Sequence, residues 1–273
     1  MSHELLPLLL QADQLQKFID DELLLIIDIS TDDNFIRGHI PGAVHLSPSA
    51  LQSGIKPAIG TIPTIQELNK IFSKLGLCPT THVIAYDNEG GGWAGRLIWT
   101  LDAIGHKNYS YLDGGIHAWK ASRFPTKTGE SIAYPSNYQG TINTSPIAEL
   151  DDVLGSLGDT NTAIWDARSA EEYRGQKVFA ERGGHIPGAI NFDWLELIDH
   201  DNYMRLIDLD KLQLRLNALG LNKEKTIITH CQTHHRSGLS YLVGRLHGLH
   251  IRAYHGSWSE WGNQPDTPIE LDQ

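Results

Sequence analysis

The residues best equipped for chemistry form one short stretch, His230-Cys-Gln-Thr-His-His-Arg-Ser237. An apolar, β-rich run from Thr226 to His230 leads into Cys231, and a helical pattern is expected from near Ser237. A cysteine placed between a strand and a helix lies where open α/β sheets bind their ligands, outside the carboxyl ends of the strands. The amides of a tight loop and of the helix's first turn point partial positive charge inward. That charge lowers a thiol pKa and makes the nucleophilic thiolate available. Arg236 adds a permanent cation, and Ser237 is a natural N-cap for the helix. Cys231 is therefore expected to be the catalytic nucleophile, with Gln232, Thr233, His234, His235, Arg236 and Ser237 forming an anion- and substrate-binding loop.

Other readings of these residues compete. A buried cysteine is often an inert small hydrophobe, although the polar and cationic neighbours here argue otherwise. His230, His234 and His235 beside a thiolate could hold zinc, but the fixed charge of Arg236 disfavours a dication, and no metal is expected. His234 and His235 are either solvent-exposed loop residues or substrate contacts whose charge changes near neutral pH. Cys78, in Gly76-Leu-Cys-Pro79, lacks a cationic setting and reads as an ordinary cysteine in a turn after a helix.

The elements that must position this loop are written twice. Arg37-Gly-His-Ile-Pro-Gly-Ala-Val44 is matched by Gly183-Gly-His-Ile-Pro-Gly-Ala-Ile190. Apolar runs ending in aspartate precede each copy (Leu24 to Asp28, Ala163 to Asp166), and a second run follows each (Val83 to Tyr86, Ile227 to His230). A Gly115-x-x-x-Trp119 segment closes the first half and Ser257 to Trp261 closes the second. Short apolar runs alternate with helical stretches, Thr64 to Leu75 and Leu206 to Leu219 among them. That alternation predicts α/β architecture with mostly parallel sheets flanked by helices. The expected division is 1-123, a linker 124-143 rich in Pro, Gly, Ser and Thr, and 144-273. Where the second copy has Cys231, the first has Asp87, followed by Gly90, Gly91 and Gly92. A carboxylate there would fill an amide cradle as an internal anion, so the first domain is expected to be inactive.

With 273 residues, the chain suits two cores of roughly 130 residues each. A net charge of −11 argues against nucleic acid or an anionic membrane surface as partner. No apolar run approaches the ~20 residues of a membrane span. The leucine-rich Leu5 to Leu10 is too short for a secretory core, so a cytoplasmic location is expected. Two cysteines without an export signal suggest a free thiol rather than a disulfide framework.

Taken together, these motifs resemble the tandem-domain rhodaneses, a family that includes thiosulfate and 3-mercaptopyruvate sulfurtransferases, and in particular a bacterial subgroup whose active loop reads Cys-Gln-Thr-His-His-Arg, as at 231 to 236. The resemblance covers nearly the whole chain. It implies an inactive first domain, a catalytic second one, and a Cys231 persulfide that carries sulfur from thiosulfate to cyanide or a thiol, with no organic or metal cofactor. The family also includes enzymes that take mercaptopyruvate as donor; a competing reading of a different class is a persulfide carrier that hands sulfur to a protein partner. Gln232 and Thr233 are neutral where many thiosulfate enzymes of the family are basic. Where an arginine often precedes the aromatic residue, this chain has Glu172 before Tyr173, which leaves Arg174 and Arg182 as candidate substrate-binding residues. A cell-cycle-type phosphatase would need a loop one residue longer. A redox sensor would need a better resolving partner than Cys78.

Overall fold

The computed structural model describes residues 6–271; Leu5, at the edge of the leucine-rich start, lies outside the described residues. The chain divides into two compact units. The first holds strands β1 (Leu9–Leu10), β2 (Leu24–Asp28), β3 (Val44–His45), β4 (His82–Tyr86) and β5 (Tyr109–Leu112), with helices α1 (Ala12–Gln16), α2 (Asp32–Arg37), α3 (Ile65–Leu75), α4 (Gly92–Ala103) and α5 (Gly115–Ala121). The second sheet is built from β6 (Ile147–Ala148), β7 (Thr162–Asp166) and β8 (Ile190–Asn191). After the separate two-stranded ladder of β9 (Ile198–Asp199) and β10 (Arg205–Leu206) come its last strands, β11 (Thr226–His230) and β12 (His250–Tyr254). Its helices are α6 (Leu150–Gly155), α7 (Ala170–Tyr173), α8 (Leu209–Ala218), α9 (Arg236–Leu246) and α10 (Ser257–Trp261).

Both five-stranded sheets are parallel, in the orders β1-β5-β4-β2-β3 and β6-β12-β11-β7-β8. The α/β, parallel-sheet architecture expected from the alternating pattern is therefore present in each unit. Strands covered on both faces must be apolar throughout rather than alternating, and Val83 to Tyr86 and Ile227 to His230 are buried without interruption. Helix α4 is buried at every position except Trp93, Arg96 and Asp102 included, while α9 is buried from Ser237 to Gly244. These helices follow the central strands β4 and β11, so the end of each central strand enters a helix held rigidly by the core.

The repeated Gly-His-Ile-Pro-Gly-Ala segment has a structural explanation. In the first unit, the His39 ring stacks on Phe35 with centroids 3.9 Å apart, and in the second, His185 stacks on Tyr173 at 3.7 Å. Each histidine bridges to a late segment of its own unit, His39 to Lys127 and His185 to Glu270. Each closing tryptophan caps the same arrangement: Trp119 Nε1 donates to the Pro125 carbonyl at 2.8 Å and Trp261 Nε1 to that of Pro268 at 2.9 Å.

Several boundaries differ from the linear reading. The Thr64 hydroxyl and Glu67 cap α3, so that helix starts at Ile65. Asp208 caps α8, which leaves Leu206 in β10 rather than in a helix. The units also exchange segments. Residues 52–62 cluster with the second unit, and 199–206 with the first. The stretch 124–142 clusters with the first unit as well, where Ser136 N donates to Ser73 O at 2.8 Å and Tyr138 is buried. Among the described residues, no helix is long and apolar enough to cross a membrane.

Candidate active site

Strand β11 pairs with β7 in a register that sets His230 opposite Asp166. Asp166 is fully buried and grips Arg168, with guanidinium contacts from 2.6 to 3.1 Å; the Arg168 guanidinium also lies 4.2 Å from the Trp258 ring. Burial alone would raise the Asp166 pKa, but Arg168 and then His230 outweigh it and hold the carboxyl below its ordinary value. Burial pushes the His230 pKa down, against the pull of Asp166. His230 Nδ1 lies 3.2 Å from the Cys231 carbonyl oxygen.

Cys231 follows directly and is fully buried. Two contacts from α10 fix its backbone: Trp258 N donates to Cys231 O, and Ser259 N to Gln232 O, both at 2.9 Å. The loop then curls. His234 is left-handed with φ of 55°, a region that histidine tolerates, and His235 is right-handed. Alternating handedness of this kind turns successive amides inward to form an anion nest. Burial would raise the pKa of the Cys231 thiol. The Arg236 charge, the Ser237 hydroxyl, and the amides of Ser237 and Thr233 overcome that and bring the pKa below its ordinary value.

Ser237 therefore plays a different part from the N-cap expected of it. Helix α9 begins at Arg236 with His235 in the cap position. Because the loop tightens a residue earlier than the serine would suggest, the Ser237 hydroxyl lies inside the first turn, facing Cys231 on one side and His234 Nδ1, 2.7 Å away, on the other. His234 is fully buried, not a solvent-exposed loop residue, and His235 is half-buried with its ring 5.5 Å from that of Trp194.

Arg236 is bound to a partner that the sequence did not reveal. Its two terminal nitrogens reach the Glu172 carboxylate at 2.5 and 2.8 Å. Glu172 sits at the end of α7, whose first turn is closed by the reciprocal box between Ser169 and Glu172. Gln232, Thr233, Arg236 and Glu172 line a cleft of about 920 Å³, together with Lys56 and other residues of the second unit. Gln52 Nε2 donates to the Thr233 carbonyl at 3.2 Å, and Gly60 packs against that same carbonyl so closely that a Cβ would stand 2.3 Å from it.

Neither other candidate arginine lines this cleft. Arg174 is exposed at the end of α7. The Arg182 guanidinium is committed to carbonyl oxygens of the closing segment, including Trp261 at 3.0 Å and Thr267 at 2.9 Å. Among the described residues, no group of three His, Cys, Asp or Glu side chains is arranged to hold a metal. Cys78 is exposed.

In the first unit, the corresponding loop holds Asp87, which is buried. Its Oδ1 accepts from the amides of Glu89 and Gly91, and its Oδ2 from that of Ala94, each at 2.9 Å. Burial raises its pKa and the amides oppose the rise without cancelling it.

A duplicated parallel α/β unit with a strand-end cradle in each copy, one of them holding a thiol, is the class of protein that fold and site define. The rhodanese-like domain family matches residues 11–122 and 149–264, and the chain belongs to that family. It is 44% identical over 273 residues to the thiosulfate sulfurtransferase of Azotobacter vinelandii, covering 97% of this chain and 98% of that protein. The thiosulfate sulfurtransferase of Pseudomonas aeruginosa is 41% identical, with the same two coverages. Among solved structures, the anaerobic ergothioneine biosynthesis enzyme from Chlorobium limicola superposes with a TM-score of 0.86 at 21% identity, over 97% of this chain and 70% of that one. At that identity, the likeness is one of fold.

Proposed function

We propose that the protein is a thiosulfate sulfurtransferase that works through a Cys231 persulfide. The observation that carries this reading is the thiol itself: a buried Cys231 at the end of β11, its pKa lowered by Arg236, the Ser237 hydroxyl and two loop amides. The names of the two bacterial relatives support thiosulfate as donor.

In the first half-reaction, the Cys231 thiolate attacks the outer sulfur of thiosulfate. A Cys–S bond forms, the bond between the two thiosulfate sulfurs breaks, and sulfite leaves with the electron pair. In the second, cyanide or a thiolate attacks the terminal sulfur of the persulfide and the Cys231 thiolate departs. No net oxidation occurs, and the cycle is covalent catalysis by an activated nucleophile. The amides of Thr233 and Ser237 hold the negative charge on the sulfur in both states, a task that a preorganised dipole performs without reorganising. His234 orients the Ser237 hydroxyl. Gln232, which donates from Nε2 to the Phe179 carbonyl at 3.2 Å, shapes the cleft wall. The cleft, at about 920 Å³, has room for an acceptor much larger than cyanide, which favours a thiol carried on a bigger molecule, a protein included. A free Cys231 and a free Cys78 suit a reducing cytoplasm.

The test is the intact mass of the chain and of Cys231→Ser, before and after thiosulfate. A gain of one sulfur (~32 Da) on the unmodified chain alone, removed by cyanide with release of thiocyanate, is the expected result for a persulfide cycle. Failure to gain sulfur would sink the proposal.

A further inference from the structure

A cleft that takes up a dianion needs a surplus of positive charge, and the Cys231 loop does not supply it alone. Arg236 keeps donors to offer a ligand, but the carboxylate of Glu172 on its terminal nitrogens offsets its charge at a distance. Gln232 and Thr233 are neutral, and Arg174 and Arg182 lie outside the cleft lining. The other charges on the cleft wall are Lys56 and Lys177, both exposed, and Glu181. Among the described residues, no carboxylate forms a salt bridge with either lysine, although Lys177 is near enough to act on the exposed Glu171.

Both lysines are carried by segments tied to the Cys231 loop. The segment of Lys56 is closed at its neck, where Ser53 N donates to Thr61 O at 2.8 Å and Gly54 N to Ile59 O at 3.1 Å. Gln52 Nε2 joins that segment to the Thr233 carbonyl at 3.2 Å. On the other segment, Lys177 N donates to Glu171 O at 3.0 Å, and the Lys177 ammonium lies 5.0 Å from the centroid of the Phe179 ring. Gln232 Nε2 joins this segment to the loop through the Phe179 carbonyl, also at 3.2 Å. An ammonium on a long stem above a fixed base is a point charge that can follow an anion into place.

From this arrangement we infer that Lys56 and Lys177 are the donor-binding cations of the site, holding the sulfonate end of thiosulfate while its outer sulfur meets Cys231. The inference rests on the transfer cycle proposed above. It accounts for the uptake of a dianion by a chain of net charge −11 whose active loop is neutral at Gln232 and Thr233. The sulfonate is held alike before and during sulfur transfer, so the lysines act on KM and not on kcat. Their attraction scales with the charge of the donor, so a lysine worth tenfold to a dianion is worth about threefold to a monoanion.

The experiment compares the full chain with Lys56→Gln, Lys177→Gln and the two lysine-to-arginine variants, using thiosulfate and the monoanion methanethiosulfonate as donors. Each glutamine variant is expected to raise KM for thiosulfate about tenfold and KM for methanethiosulfonate about threefold at unchanged kcat, with arginine restoring both. Alkylation of Cys231 by neutral iodoacetamide, at a pH where the thiol is fully ionised, should be the same in every variant. Equal rises for the two donors, or alkylation slowed in parallel with loading, would mean that the lysines only support the loop, and either result overturns the inference. A measurement on the unmodified chain is independent of any variant: added sodium chloride should raise KM for thiosulfate more steeply than for methanethiosulfonate, and an equal or reversed dependence counts against the lysines. Should neither donor load Cys231 in the unmodified chain, the transfer cycle itself falls and the inference with it. Should loading proceed with KM unmoved in both glutamine variants, only the role of the lysines falls.

Discussion

Removing the carboxylate of Asp87 separates the two roles that the duplicated cradle can play. Asp87 is 2% exposed and satisfies three backbone amides at 2.9 Å. Asp87→Ala leaves all three donors without that acceptor. A buried donor that loses its partner costs about 1–3 kcal/mol. The space freed by the side chain admits water, so the lower part of that range applies, and the sum is roughly 3–5 kcal/mol. With a denaturant slope of about 1–3 kcal/mol per M, the urea midpoint of the first unit should fall by roughly 2 M. Asp87→Asn keeps an oxygen for the amides of Glu89 and Gly91 and loses only that of Ala94, so about a third of the effect is expected. Hydrogen exchange at β4 and α4, followed through urea, reads the first unit specifically. Sulfur loading on Cys231, measured per folded molecule, should stay intact in both variants. Two results would refute the reasoning: an unchanged exchange profile in Asp87→Ala, or a loss of loading as complete as that of Cys231→Ser while folding is unaffected.

Two further predictions concern the second unit. Because the Cys231 pKa is lowered, its thiolate should persist as pH falls below the ordinary thiol range, and alkylation by neutral iodoacetamide should decline only on passing the lowered pKa; Arg236→Gln removes the largest lowering influence and should move the whole profile to higher pH, an unmoved profile counting against the electrostatic account. In Gly60→Ala, the new Cβ would lie 2.3 Å from the Thr233 carbonyl oxygen and 2.9 Å from that of His255. Overpacking there should cost about 1–3 kcal/mol. Displacing the loop that cradles the sulfur should slow persulfide formation roughly 10- to 100-fold in single-turnover mixing, and an undiminished rate would show that the packing of residues 52–62 on the loop has no bearing on chemistry.

What the sequence made legible was local or repeated. The paired histidine segments, the apolar strands and the strand–Cys231–helix junction each declare themselves within a few residues, and each appears where the pattern placed it. What it concealed depends on groups brought together by folding. Glu172 and Arg236 are 64 residues apart, and nothing in either neighbourhood announces the pair. The one available signal was negative: a carboxylate at the position where the resembled family often carries a cation. Ser237 misleads because a serine before a helix is ordinarily its cap; only the left-handed turn at His234 shows that the helix has already begun. The exchange of residues 52–62 and 199–206 between the units leaves no mark in composition, because it is a matter of which core a loop happens to cover.

The two cradles, considered together, show what the duplication retained and what it changed. In both copies, a buried strand delivers a residue into converging amides at the start of a helix, so the common property of the fold is a site that stabilises an anion. With Asp87, the anion is the protein's own and is bound by three amides, which leaves the site satisfied and chemically silent. With Cys231, in the proposed cycle, the anion is a soft nucleophile that gains and loses a sulfur atom while its charge stays in place. The same electrostatics therefore serves stability in one unit and reactivity in the other. Substituting Cys231 by aspartate would be expected to convert the second cradle to the first kind, trading transfer for stability.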